Sequence, residues 1–224
     1  MWKGWLAWSV ATLLLVLYLS AGFIASRTDK VSIALQPGAA HDARVLRFAE
    51  DRVRMDLVFR GDHLRRPELG EWASSLPAAS PDQLRFLKPG AAIQIAASQG
   101  GARVVYEAMP KTGHGADTVF RRLISDISQE PGVWRWPPAT EGLALKPGTN
   151  TVRLEVVSVE APLVGETVEL TIHPALGFKS SMPNVSWLWW WFLWPILVPL
   201  QLLWAVILGV RTWRQARRLQ PSLV

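Results

Sequence analysis

Cysteine is absent from this sequence of 224 residues. Its absence excludes disulfide bonds, thiol nucleophiles, thiolate metal sites and the covalent attachment of c-type haem. Histidine is scarce, and none of the four histidines has the spacing of a His-x-x-x-His metal motif. Asp62-His63 and the pair His114 and Asp117 are the remaining acid–base candidates. We therefore expect no catalysis and no ligated cofactor or metal, and we rank a membrane-bound hydrolase last among the possible functions.

Charged residues and histidine are missing from two long apolar runs, Trp5 to Ile24 and Trp187 to Val210. As a helix with a rise of about 1.5 Å per residue, each run is long enough to cross about 30 Å of hydrocarbon. The first run could instead be a cleaved signal peptide, but it is longer than the roughly 7–15 residues of a signal core. The sequence therefore predicts two transmembrane helices that lack the charged groups of a proton or ion path.

Acidic residues are missing from both ends of the chain, because all 18 lie between Asp29 and Glu169. Of the 24 basic residues, 19 lie between the two apolar runs, so the net charge of +6 does not describe a nucleic-acid-binding surface. The other basic residues flank the runs: Lys3, Arg211, Arg214, Arg217 and Arg218. By the positive-inside rule both termini are cytoplasmic, with the inverted topology as the alternative. The four arginines are predicted to anchor the second helix at anionic headgroups or at an acidic partner.

These patterns predict four segments in a bacterial inner-membrane protein. They are an N-terminal transmembrane helix (1–26), a periplasmic β domain (27–184), a C-terminal transmembrane helix (185–212) and a basic cytoplasmic tail (213–224).

Apolar residues alternate with polar ones through most of the middle segment. This period of two predicts strands at 31–36, 52–59, 91–97, 102–108, 151–159 and 166–173. Turn sequences such as Pro37-Gly38 and Gly100-Gly101 separate them, as in an antiparallel β-sandwich or jelly roll. Residues 117–127 have helical spacing of apolar residues, so we expect one short helix there.

The stretch from Leu143 to Val156 reads as a strand, a Pro-Gly-x-Asn turn and a second strand. It resembles a sequence pattern common in β-sandwich modules, including the jelly rolls of carbohydrate-active enzymes. The resemblance implies that Asn150 caps the turn and that the alternating residues fill the core. It carries no ligand-binding residue.

Tryptophan is the most enriched residue type, with 13 in the chain and ten in or beside the apolar runs. An aromatic belt at the membrane interface explains many of them. Five indoles between Trp187 and Trp194 surround two helical turns, which favours an interface with a partner. The predicted intramembrane interface comprises Trp2, Trp5, Trp8, Trp187, Trp189, Trp190, Trp191, Trp194, Gln201 and Trp204. Pro195 and Pro199 are predicted to kink the second helix, and Gln201 to form an interhelical hydrogen bond.

Together these features favour a non-catalytic accessory subunit that stabilises a larger integral membrane complex, for example a photosynthetic or respiratory assembly. Its periplasmic domain would cap the partner, and its indoles could contact lipid, quinone or pigment. The alternative is an envelope module that binds glycan or peptide through Trp72, Trp134 and Trp136, which lie in Pro-rich and Ser-rich connections.

Overall fold

A computed structural model describes residues 2–77, 83–125, 133–135, 142–178 and 182–218, with only the backbone described at His63, Pro77 and Arg218. The chain divides into two compact units. One, the helical unit, comprises Met1–Ser26 and Leu176–Val224, and the other, the β unit, comprises Arg27–Ala175. The expected class is confirmed in its coarse features: the fold is mostly antiparallel β, with two long apolar helices that could span a membrane.

The helical unit contains α1 (Trp2–Ala25), a 3₁₀ helix (Pro183–Leu193) and α2 (Trp194–Arg218). Among the residues that the structure describes, two stretches are long and apolar enough to cross a membrane, Trp2–Ala25 and Pro183–Arg217. The second therefore begins as a 3₁₀ helix of 11 residues, which we call the tryptophan segment. Runs of 3₁₀ helix longer than three or four residues are uncommon.

The two prolines of the second apolar run have different positions in α2. The carbonyl of Trp191 accepts a hydrogen bond from the N–H of Trp194, three residues later, as in a 3₁₀ helix. Pro195 follows in the first turn of α2, where its missing N–H costs nothing. Pro195 thus marks the change from 3₁₀ to α-helix, and Pro199 is the proline beyond the first turn of α2.

The β unit is built around an eight-stranded antiparallel sheet in the order β1-β13-β4-β9-β8-β7-β12-β2. Its strands are β1 (Asp29–Ala34), β2 (Ala40–Arg47), β4 (Met55–Arg60), β7 (Ile93–Gln99), β8 (Ala102–His114), β9 (Thr118–Ile124), β12 (Gly148–Val159) and β13 (Thr167–Ile172). The edge strands β1 and β2 contact each other, so the sheet nearly closes into a barrel. The core side chains include Leu57, Ile95, Leu154 and Leu170, which are fully buried.

Two smaller sheets complete the β unit. One has the order β10-β6-β5, with β5 (Ser75–Pro77), β6 (Gln83–Phe86) and β10 (Val133–Arg135). The other pairs β3 (Asp51–Arg52) with β11 (Ala144–Leu145). Each of the six strands predicted from alternation overlaps an observed strand. Alternation was reliable here because one face of each strand is buried in a common core.

The prediction of a helix within 117–127 is wrong. Residues Thr118–Ile124 form β9, which is hydrogen-bonded between β4 and β8. Val119, Arg121 and Leu123 alternate toward the interior, as a strand requires. Because the middle residue of these three is an arginine, the period of two is concealed in the sequence. Residues 126–127 of the predicted helix lie outside the described part of the chain.

Arg121 donates hydrogen bonds to an irregular stretch of the large sheet. Its side chain is 1% exposed and donates to three main-chain carbonyls: Nε to Met109 (2.6 Å), Nη1 to Ala91 (2.7 Å) and Nη2 to Ala108 (2.8 Å). The register of β8 against β9 shifts after Ala108, where Pro110 has no N–H to donate. Burial lowers the pKa of Arg121 to about 10, so the guanidinium stays charged at neutral pH. Arg121 therefore supplies donors that this irregular strand pair lacks.

The turn between β11 and β12 has the form that the resemblance implies. The side-chain amide of Asn150 is buried and donates to the carbonyls of Lys146 (2.8 Å) and Gly148 (3.0 Å). Its oxygen accepts from Nε2 of Gln99 at 2.6 Å. Gly148 has a φ of +107°, which a residue with a Cβ rarely adopts. Asn150 thus caps the turn and links it to β7.

Tyr106 joins two segments of the core. Its hydroxyl donates to the carbonyl of Val53 (3.2 Å) and accepts from the N–H of Leu143 (2.8 Å). The side chain is 1% exposed, and burial raises the pKa of Tyr106 to about 12. The neutral phenol is therefore favoured in the folded state.

We expect Tyr106→Phe to change how stability depends on alkaline pH. An unfolded tyrosine ionises near pH 10, so the Tyr106 contribution is complete below that pH and is lost as the pH rises toward 12. The free energy of unfolding of the wild type should fall relative to the variant by about 2–3 kcal/mol across this interval. Denaturation of both full-length proteins in detergent at pH 8 to 12 measures it. A constant difference across that range would contradict the assignment.

Candidate functional site: the paired helices and their aromatic surface

Polar contacts join α1 to α2 in the helical unit. The indole N–H of Trp8 donates to the carbonyl of Gln201 at 3.0 Å. The Gln201 side-chain amide donates to the hydroxyl of Thr12 (2.7 Å) and to the carbonyl of Trp8 (3.3 Å). Nearer the chain ends, Nε1 of Trp5 donates to the hydroxyl of Thr212 at 3.1 Å. Gln201 therefore has its hydrogen-bonding partners in the chain's own first helix.

The three tryptophans of α1 that were predicted at an interface differ in their surroundings. They are Trp2, Trp5 and Trp8. Trp5 and Trp8 pack edge to face, with ring centroids 5.7 Å apart, and both indoles bond to α2. Trp2 is exposed. Of these three tryptophans, only Trp2 is exposed at the surface of the helical unit.

We expect Gln201→Leu to weaken the pairing of α1 with α2 modestly. The substitution removes two donated hydrogen bonds within the membrane-spanning region, where such bonds contribute roughly 1 kcal/mol each. Thermal unfolding of the full-length protein in detergent should show a small loss of stability, and Gln201→Asn should restore part of it. Unchanged stability in Gln201→Leu would show that apolar packing alone holds the pair.

In the tryptophan segment, buried and exposed side chains each recur every three residues. Side chains three residues apart eclipse one another in a 3₁₀ helix. Val185 and Leu188 are buried on one ridge, whereas Trp187 and Trp190 are 60% and 62% exposed on another. Trp194, the first residue of α2, is also exposed. We call Trp187, Trp190 and Trp194 the exposed indole surface.

The chain itself fixes the position of this surface. The hydroxyl of Tyr18 in α1 donates to the carbonyl of Trp187 at 2.9 Å. Trp191 packs directly against Gly22 of α1, where an added Cβ would lie 2.2 Å from Cγ of the indole. A side chain at position 22 would therefore displace Trp191. The backbone that carries the exposed indoles is held to α1 at both points.

A second group of rings lies beside the exposed indole surface. Phe178 stacks on Trp189 (centroids 5.8 Å apart) and meets Phe192 edge to face (5.3 Å). Phe192 also contacts Trp191 at 5.0 Å. The indole of Trp189 donates to the carbonyl of Phe178 at 3.2 Å. Trp189 and Trp191, predicted at a partner interface, thus make many of their ring contacts within the chain.

The remaining predicted residues of the helical unit lie along α2. Trp204, near the middle of α2, is partly exposed. Arg217 stacks over the ring of Trp213, with its guanidinium carbon 3.8 Å from the centroid. Arg211 and Arg214 instead line a groove between α1 and α2. The side chain of Arg218 lies outside the described part of the structure.

The aromatic residues predicted to bind ligand on the β unit are largely occupied by packing. Trp134 lies on β10, is 3% exposed and packs edge to face on Phe86 with centroids 5.2 Å apart. Trp72 is half-buried and contacts Phe86 at the same distance. Trp136 lies outside the described residues. Trp134 therefore belongs to a small core with Met109 rather than to an exposed platform, which corrects its assignment to a binding surface.

The structure pairs a different histidine and carboxylate from those that the sequence suggested as acid–base candidates. Asp62 accepts a hydrogen bond from the N–H of Leu64 at 3.0 Å and so caps a short 3₁₀ turn. The structure instead brings Nε2 of His173 to 2.8 Å from Oδ2 of Asp56, without a well-directed hydrogen bond. Sequence reasoning missed this pair because it depends on the register of β13 against β4. A carboxylate and a histidine alone define no reaction.

Around this pair the charged groups have structural partners. Arg47 and Asp51 form a buried ion pair at 2.7 Å, and Arg47 also donates to the carbonyl of His173. Arg54 donates to the carbonyl of Pro174 at 2.6 Å, and burial lowers the pKa of Arg54. Within the described ranges, no group of three or more His, Asp or Glu side chains could hold a metal ion. The cluster secures the end of β13.

Comparisons with known proteins add little to this geometry. No protein-family model matches the sequence, and no curated protein matches it. A crystal structure of a protein from Sulfurospirillum deleyianum is similar over 66% of this chain and 97% of its own, with 14% identity and a TM-score of 0.40. This similarity is too low to carry an argument about fold or function.

Proposed function

We propose that this protein is a non-catalytic accessory subunit that docks on a larger integral membrane complex and stabilises it. The exposed indole surface supports the proposal most directly. Trp187, Trp190 and Trp194 present large side chains that are each more than half exposed. Tryptophan is enriched where protein interfaces are most buried, because its ring contributes much contact area at a small entropic cost.

An interfacial belt would also explain exposed indoles, but two features favour a protein partner. First, the chain holds this backbone in place through Tyr18 and Gly22. Second, the surface lies on an extended 3₁₀ helix, a conformation that is rarely maintained over 11 residues. A fixed array of rings suits a complementary surface, whereas lipid headgroups impose no such geometry.

The orientation belongs to the same proposal. Both termini are cytoplasmic, and the segment 27–184 lies in the periplasm of a bacterial inner-membrane protein, in keeping with the basic residues that flank the apolar helices. The curled sheet then serves as a sandwich-like or jelly-roll-like cap on the outer face of the partner. A photosynthetic or respiratory assembly fits this role, with the indoles beside its lipid, quinone or pigment.

Photo-crosslinking in native membranes tests the docking surface. A benzoylphenylalanine residue replaces Trp187 or Trp190 in separate full-length proteins, and Trp213 provides the matched control because it is an equally exposed indole at the other end of α2. We expect both test positions to give an adduct with the same integral membrane protein, and the control to give none. Lipid adducts alone at all three positions would contradict docking and support a belt.

A further inference from the structure

An open groove lies between the start of α1 and the last turns of α2. Its volume is about 400 Å³, and its lining includes Gly4 and Trp5 from α1 and Leu208, Arg211 and Arg214 from α2. Gly4 has no side chain to fill the space, and a Cβ added there would lie 3.2 Å from Cδ2 of Leu208. Leu208 therefore packs close to the backbone at position 4, and a side chain there would crowd the lining of the groove.

One wall of the groove is apolar and fixed. The indole N–H of Trp5 is bonded to the hydroxyl of Thr212, which in turn donates to the carbonyl of Leu208 at 2.8 Å. Neither group requires a ligand to satisfy it. The cations of the lining, Arg211 and Arg214, are thus the groups that would determine what binds.

The two guanidinium groups have no Asp or Glu side chain within their own unit. Every Asp and Glu of the sequence lies between Asp29 and Glu169, and the helical unit comprises Met1–Ser26 and Leu176–Val224. Arg211 and Arg214 are both exposed at the groove. Planar guanidinium groups bind phosphate oxygens in pairs, so an anion with two or more such oxygens complements this lining.

We propose that this groove binds the phosphodiester headgroup of an anionic phospholipid. The helix surface next to it favours a lipid over a soluble phosphate. Val206, Ile207 and Val210, one to two turns before Arg214, are exposed and would accompany the acyl chains. A headgroup at Arg211 and Arg214 would then lie where the apolar run ends, at the depth of the membrane interface. The site depends on membrane anchoring and is independent of any role as an accessory subunit.

Native mass spectrometry of the full-length protein in detergent tests the site, with phosphatidylglycerol as the probe and phosphatidylcholine as the zwitterionic comparison. We expect one phosphatidylglycerol to bind in preference to phosphatidylcholine. Arg211→Gln and Arg214→Gln should each weaken its binding about fivefold. Arg217→Gln removes the same charge from a side chain that stacks on Trp213, so it should change binding less than twofold.

A second variant separates shape from charge. Gly4→Leu keeps every charge but adds a side chain that crowds Leu208 in the lining, and it should also weaken the preferred binding about fivefold or more. Equal effects of Arg211→Gln and Arg217→Gln would overturn the site in favour of general attraction to anionic lipid. Equal binding of the two lipids, or displacement of phosphatidylglycerol by millimolar inorganic phosphate, would also overturn it.

Discussion

Replacement of Arg121 by methionine is expected to lower the free energy of unfolding of the β unit by about 3–5 kcal/mol. The variant leaves the carbonyls of Ala91, Ala108 and Met109 buried without their donors. Methionine matches much of the volume of the arginine stem, so the loss comes mainly from unpaired polar groups. Chemical denaturation of the full-length protein in detergent, followed by the circular dichroism of its strands, measures the change.

Arg122→Met is the matched control for this prediction. Arg122 is the next residue of β9, its side chain is 51% exposed, and its nearest acidic partner, Asp56, is 3.7 Å away. An exposed pair of this kind contributes about 1 kcal/mol or less. Similar destabilisation by the two substitutions would show that the large sheet does not depend on the carbonyl bonds of Arg121.

Gly22→Leu is expected to disrupt the packing of α1 on the tryptophan segment. The new Cβ alone would lie 2.2–2.5 Å from Cγ, Cδ1 and Cβ of Trp191, so the base of the indole would have to move. We expect a decrease in melting temperature of several degrees in detergent. Faster proteolysis next to the segment should accompany it.

Gly209→Leu is the control for the close approach at Gly22. It places the same side chain in the other helix, where a Cβ would meet no heavy atom within 4 Å. This variant should retain the stability of the wild type to within about 0.5 kcal/mol. If Gly22→Leu were tolerated equally well, the observed contact with Trp191 would not hold the exposed indole surface in place.

Much of the fold could be predicted from the sequence because its signals are local. Charge-free apolar runs of 20 or more residues follow from the cost of burying charge in lipid, and they match α1 and the stretch Pro183–Arg217. Strict alternation in β12 and β13 follows from one buried face. The six predicted strands needed no information about their partners.

The misses arise where partners distant in sequence decide the structure. A buried arginine is rare, so Arg121 concealed the alternation of β9, and the carbonyls of β8 and of Ala91 explain its burial. Trp134 was expected in a surface connection, but Phe86 from β6 covers its ring. His173 and Asp56 meet through strand register, which period-two patterns do not specify.

The sequence predicted which residues form the candidate site better than it predicted how they are arranged. The sequence indicates where indoles are dense, but a 3.6-residue period places them on all sides of the helix. The observed 3₁₀ geometry instead gathers Trp187 and Trp190 on one ridge. Pro195 was a local signal for this change, since proline favours the first turn of an α-helix. From the sequence only a kink was predicted at Pro195, whereas the structure places Pro195 in the first turn of α2.

Purification of the tagged full-length protein from its native membranes in a mild detergent tests the central proposal most directly. Mass spectrometry and the absorption spectrum then identify what accompanies it. The accessory-subunit account predicts a stoichiometric set of integral membrane proteins that is lost when Trp187 and Trp190 are both replaced by alanine and retained when Trp213 is replaced. A protein that purifies alone, with only lipid and detergent bound, would contradict it.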